Sequence, residues 1–162
     1  MSLFQLTEDQ LSLKEMLREF AEQEMAPKAE ELDKTGRFPA ETIEALTEMG
    51  IMALNIPEEY GGCGMDEVCK VIAIEELGRC CAGTTEIVST QLLVNDIILN
   101  NGNEEQKQKY LGLAAEGRLG AFALTEPGAG SDAGSLRTRA VKDGDNYILN
   151  GAKCFISNMG PE

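Results

Sequence analysis

The chain has 162 residues, 43% of them hydrophobic, which is the size of one ordinary domain and enough apolar content to build a core rather than remain disordered. Its 28 acidic residues against 14 basic ones leave a formal charge of −14. That balance opposes nucleic acid, and it leaves any phosphate-bearing ligand to be held by local backbone N–H groups and helix N-termini. No apolar run approaches the roughly 18 residues of a membrane span. MSLFQLTEDQ has neither secretory nor transit character, so a cytoplasmic protein with no membrane partner is expected. Five cysteines (63, 69, 80, 81 and 154) form no C-x-x-C pair and suit a reducing compartment; with no histidine, catalytic triads and His-ligated zinc are excluded within the chain.

In chain order, Thr7 with Gln10 reads as a capping box opening a helix in which Leu13, Met16, Leu17 and Phe20 keep helical spacing. Pro27 interrupts that pattern, and a short acidic piece follows. A second helix begins near Pro39, carries Ile43, Leu46 and Met49, and stops at Gly50. Pro57 to Gly64 is dense in breakers and is a loop. Asp66 to Leu77 is a helix with Val68, Val71, Ile72 and Ile74 on its apolar positions and Gly78 as its stop. Thr84 to Asn100 is apolar on nearly every side, the pattern of a helix in the middle of a bundle, and Asn103 caps a polar helix from Glu104 to about Ala115.

After Gly117 the character changes. Residues 121–124, 138–141 and 146–150 read as short strands, with Asp143-Gly144 as a hairpin signal and a second turn at Asn150-Gly151. The boundaries are therefore an α-helical domain over 1–119 and, over 120–162, the start of a β-domain whose few strands cannot bury a sheet face alone. The rest of that domain is expected elsewhere.

The chemistry concentrates in Ala123-Leu124-Thr125-Glu126-Pro127-Gly128-Ala129-Gly130-Ser131-Asp132. Pro127 fixes a turn, and Gly128 and Gly130 let backbone N–H groups approach a phosphate or the edge of a planar cofactor. On that physics alone such a connection is more often a plain turn. It is neither a P-loop nor a G-x-G-x-x-G opening a helix.

Residues 123–135 closely resemble the first signature of the acyl-CoA dehydrogenases. The resemblance continues, in the family's order, through Pro57-Glu58-Glu59-Tyr60-Gly61-Gly62, Glu75-Glu76-Leu77, Glu105-Gln106-Lys107, Lys109-Tyr110-Leu111 and Asn150-Gly151-Ala152-Lys153-Cys154-Phe155-Ile156-Ser157-Asn158. It implies a mainly α chain, an N-terminal helical bundle followed by the first strands of an incomplete β-barrel domain, with a C-terminal helical domain beyond. It further implies an FAD site. Phe122, Ala123 and Leu124 would pack at the flavin ring, Thr125 would hydrogen-bond its edge, and Gly130 and Ser131 would lie by the pyrophosphate, Ser131 also by the substrate's thioester arm. Phe155, Ile156 and Ser157 would cover the other side. Phe155 and Ser157 depart from the family's usual Trp and Thr, which leaves stacking and a hydroxyl in place. The helix from Ile87 to Leu99 would wall the acyl chain.

The implied reaction is dehydrogenation of an acyl-CoA to a trans-2-enoyl-CoA, with electrons passed to an electron-transfer flavoprotein, in a homo-oligomer (dimer or tetramer). The resemblance puts the catalytic glutamate in the C-terminal domain, so no catalytic residue is expected in this chain and the chain alone should be inactive. Glu126 reads as part of the turn. The same flavin site would also serve an acyl-CoA oxidase or an enoyl-CoA reductase, and a non-enzymatic helical module is the remaining alternative.

Overall fold

The computed structural model describes residues 5–159 and divides between Gly120 and Ala121 into two units. In the first, α1 (Glu8–Phe20) opens on the expected capping box: Gln10 N–H donates to Thr7 Oγ1 at 3.2 Å, and Thr7 N–H donates to Gln10 Oε1 at 3.1 Å. Leu13 and Leu17 are buried, whereas Met16 is 42% exposed, so the buried stripe is narrower than the apolar spacing suggests.

Pro27 does not end the helical path. Five residues, Ala21–Met25, form a single π-turn, and α2 (Ala26–Thr35) continues with Pro27 in its first turn. The acidic piece is thus helical. The wider turn absorbs the missing N–H and the ring of proline, which an unbroken α-helix would not. Gly36, in the left-handed region at φ 66°, ends α2.

α3 (Ala40–Glu48) follows Pro39, burying Ile43 and Leu46. Residues 51–65 fold as linked turns rather than open loop: Cys63 N–H returns to Ala53 O, Gly64 N–H to Ile56 O and Met65 N–H to Leu54 O. Gly62 is packed so tightly that a Cβ there would sit 2.1 Å from Ile56 O.

α4 (Glu67–Gly78), capped by Asp66, buries Cys69, Ile72, Ala73, Glu76 and Leu77. Val68 and Val71, assigned to its apolar face by spacing, are instead 43% and 64% exposed. The side facing α1 takes the small residues and a buried carboxylate, Glu76, which Arg18 Nε and Arg79 NH1 reach at 2.9 Å and Lys14 Nζ at 3.4 Å.

α5 (Ala82–Asn101) differs from expectation in the same direction. Its buried residues include Thr84, Thr85, Thr90, Gln91 and Asn95 beside Val88 and Leu92, while Leu93 is 44% exposed. The polar residues are satisfied in a chain: Gly120 N–H donates to Gln91 Oε1, Gln91 Nε2 to Asn95 Oδ1, Asn95 Nδ2 to Met52 O and Asn55 Oδ1, and Asn55 Nδ2 to Leu92 O and Asp96 Oδ1. α6 (Glu104–Ala115) opens on a capping box between Asn103 and Gln106. One core joins Leu13, Leu17, Met25, Leu46, Ile72, Leu77 and Val88 with their neighbours; a smaller one joins Ile56, Tyr60 and Leu111. No helix of the described residues is long and apolar enough to cross a membrane.

In the second unit β1 (Arg139–Asp143) and β2 (Asn146–Asn150) pair antiparallel, Arg139 opposite Asn150 and Asp143 opposite Asn146. Gly144 at φ 60° starts the two-residue turn. Both faces of the hairpin are exposed. Residues 121–124 are not a strand, contrary to the sequence pattern. An extended run becomes a strand only with a ladder partner, and none of the described residues pairs with it.

Candidate functional site

The glycine-rich segment folds as a closed turn. Glu126 and Ala129 exchange both backbone hydrogen bonds, Glu126 N–H to Ala129 O at 3.1 Å and Ala129 N–H to Glu126 O at 3.0 Å, with Pro127 and Gly128 at the tip. Pro127 suits that tip because the closed turn asks no hydrogen bond of it. Among the described residues the backbone N–H groups of Gly128, Gly130 and Ser131 donate to no protein acceptor, and all three residues are exposed. They are available to a ligand's oxygens.

Glu126 points inward, buried beneath the turn. Its carboxylate accepts from Arg137 N–H at 2.7 Å, Thr138 N–H at 2.9 Å and Lys153 Nζ at 3.0 Å. Hydrogen bonding from Thr138, then from the Arg137 amide and the Lys153 ammonium, holds it well below the ordinary carboxylate range, at about 2. A carboxylate so engaged is a structural tie, with little basicity to offer a substrate proton.

The second stretch runs alongside the first. Cys154 N–H donates to Thr125 O at 3.0 Å, and Lys153 Nζ also donates to Leu124 O at 2.8 Å. Leu124 and Thr125 are therefore bonded directly to the backbone and side chain that lead into Phe155, Ile156 and Ser157. Phe155 takes φ 55°, unusual for an aromatic residue, and is 93% exposed. Phe122 and Leu124 are exposed as well, Thr125 is half-buried, and Ala123 and Ser131 are at the surface. Gly151, just upstream, passes so close to Thr138 that a Cβ would lie 2.2 Å from its Oγ1.

Of the sequence-derived site residues, Leu124 and Thr125 are thus bonded to Lys153 and Cys154, the residues just before Phe155, Ile156 and Ser157, while Gly130 and Ser131 lie past the closed turn. Lys153 and the buried role of Glu126 carried no signal of their own beyond a charge pair in an acidic chain. No cluster of His, Cys, Asp or Glu among the described residues has the makings of a metal site.

A separate feature belongs to the helical unit. A groove of about 450 Å³ between α4 and α5 is lined by Val71, Ile74, Leu92 and Leu93 with Ser89, and rimmed by Glu67, Lys70, Glu75 and Asp96. Lys70 bridges Glu67 and Asp96 along its edge.

The model of the acyl-CoA dehydrogenase N-terminal domain matches residues 7–118, and that of the acyl-CoA dehydrogenase middle domain matches 121–160. The chain belongs to the acyl-CoA dehydrogenase family. An acyl-CoA dehydrogenase of Bacillus subtilis is 48% identical over 157 residues, covering 96% of this chain and 41% of that protein. The acryloyl-CoA reductase (NADH) of Anaerotignum propionicum is 47% identical over 160 residues, covering 97% and 41%.

Among solved structures, butyryl-CoA dehydrogenase from Megasphaera elsdenii superposes with a TM-score of 0.88 at 39% identity, covering 98% of this chain and 43% of that one. A chain from a structure of the electron transferring flavoprotein of Acidaminococcus fermentans, concerned with flavin-based electron bifurcation, gives 0.91 at 46% identity, covering 98% and 42%. The chain thus spans about two fifths of the length of the curated relatives it matches.

Proposed function

We propose that the protein binds FAD and dehydrogenates an acyl-CoA thioester to a trans-2-enoyl-CoA, delivering its electrons to an electron-transfer flavoprotein, as a homodimer or homotetramer. The observation that carries this reading is the Cys154 N–H to Thr125 O bond, which joins the two flavin-related stretches in one place. The exposed apolar surfaces of Phe122, Leu124 and Phe155 and the undirected N–H groups of Gly128, Gly130 and Ser131 fit a cofactor with a flat ring and a pyrophosphate.

In this reading Thr125 holds the ring edge, Phe122 and Ala123 to Leu124 meet one side of it, Phe155, Ile156 and Ser157 meet the other, and Gly130 and Ser131 receive the phosphates. Ser131 also orients the thioester arm. FAD would supply the two-electron acceptor that these side chains lack. The residues themselves orient the acyl group and exclude water. Glu126 stays ionised under the turn and is not offered as the base that removes the α-proton; the family resemblance implies a C-terminal domain that carries that base.

The acryloyl-CoA reductase relative, at 47% identity, favours a second reading in which the same site reduces an enoyl-CoA. The test uses the complete protein. Purified, it should carry FAD that bleaches on anaerobic addition of butyryl-, octanoyl- or palmitoyl-CoA, and the isolated 162-residue chain should show no turnover. Ser131→Ala should weaken FAD retention about tenfold to a hundredfold, and Thr125→Ala less, with unchanged helical circular dichroism. A colourless protein, or one reduced by NADH and reoxidised only by enoyl-CoA, would refute dehydrogenation.

A further inference from the structure

The Glu126 and Lys153 pair does more than close a turn. Lys153 Nζ spans Leu124 O at 2.8 Å and the Glu126 carboxylate at 3.0 Å, and the next residue's N–H holds Thr125 O at 3.0 Å. Three consecutive residues of the first stretch are therefore fastened to two consecutive residues of the second. Both partners are shielded, with side-chain exposures of 25% and 6%, so their attraction is screened less than that of a surface pair. The Glu126 carboxylate is also fixed from beneath by the Arg137 and Thr138 amides, so it serves as a rigid anchor rather than a swinging acid.

On this geometry we propose that Lys153 is a positioning residue: anchored on Glu126, its ammonium clamps the Leu124 carbonyl and so sets the separation between Thr125 and Phe155–Ser157. The assignment rests on the flavin-site reading above. Lys153 touches neither ring nor substrate in this role. Its effect is transmitted through the backbone of the two stretches, on either side of the place where that reading puts the ring. An ammonium from the second stretch that holds two acceptors on the first resists sliding in a way that the single Cys154 to Thr125 bond does not.

The test compares Lys153→Met and Lys153→Arg with the wild-type complete protein. Three readouts are needed: FAD dissociation, the shape of the visible flavin bands, and hydrogen exchange at the Cys154 amide. Lys153→Met is expected to release FAD about tenfold faster, to alter the band shape, and to exchange Cys154 N–H faster at an unchanged global melting temperature; Lys153→Arg, which keeps the cation, should recover most of all three. If Lys153→Met leaves Cys154 exchange, spectrum and FAD retention at wild-type values, or if only the melting temperature falls, the clamp is overturned. If the wild-type protein holds no flavin, the flavin-site reading fails by itself, and faster or unchanged Cys154 exchange still decides for or against the clamp.

Discussion

The side-chain amide of Asn95 donates to Asn55 Oδ1 at 3.1 Å and to Met52 O at 3.0 Å, inside the helical unit and away from water. Asn95 also accepts from Gln91, whose own oxygen takes the Gly120 N–H, so one side chain completes a polar path from the 51–55 turns to the last residue of the unit. Asn95→Leu should strand Met52 O, Asn55 Oδ1 and Gln91 Nε2 together and destabilise the helical unit by about 2–4 kcal/mol. Urea unfolding followed by helical circular dichroism measures it; a loss under about 1 kcal/mol would mean that the network contributes little.

Glu76 gives a pH prediction. Its carboxyl is lowered from 4.5 to about 2, chiefly by the hydrogen bond from Arg18 and then by Arg79 and Lys14. A group with a depressed folded-state pKa contributes stability that is complete above its unfolded value and drains away as protons are taken up. The contribution is therefore present above about 4.5 and lost as pH falls from there towards 2. Glu76→Gln should cost about 1–2 kcal/mol at pH 7, discounted because Arg18 and Arg79 are half-exposed, and the gap to wild type should narrow below about 4.5 and close only near pH 2. Chemical denaturation at a series of pH values reads both.

Gly62→Ala tests close approach without backbone strain. The added methyl would lie 2.1 Å from Ile56 O and 2.4 Å from Ile56 Cβ, against a rigid turn. A loss of about 2–4 kcal/mol is expected, with the 51–65 turns loosened. Gly128→Ala, where a Cβ meets nothing within 4 Å, is the control and should change stability little. Thermal melts of the two variants side by side suffice.

Phe155 separates stability from function. Its φ of 55° is strained and its ring is 93% exposed, so Phe155→Gly should leave stability unchanged or raise it by up to about 1 kcal/mol. If the aromatic ring covers a flavin, the same variant of the complete protein should release FAD faster. Calorimetry and flavin fluorescence should move in opposite directions.

The capping box at Thr7, the cap at Asn103 and the helix stop at Gly50 sit within four residues of their partners, and such local chemistry is readable from sequence. Gly36 ends a helical path that Pro27 masks in the sequence. The Asn55, Gln91 and Asn95 network joins residues 37 to 43 apart, with no pattern to announce it, and so the α5 helix read as apolar all round. Residues 121–124 misled because a strand-like composition says nothing of whether a partner is present. At the candidate site, the two stretches were legible through their family resemblance. Their joining was not: Lys153 and Glu126 are 27 positions apart and look like any charged pair.

The π-turn at Ala21–Met25 is, in phase terms, one extra residue wound into a helix. Everything after it is rotated by about 100° relative to an unbroken α1, and Leu32 is buried at that shifted phase. A one-residue deletion within 21–25 would shorten the chain, yet it would swing the Leu32 face towards solvent and set the Pro27 ring against a carbonyl one turn back. Insertions and deletions in this short stretch should therefore be tolerated far less well than substitutions of its exposed glutamates, although its composition is that of an ordinary polar helix.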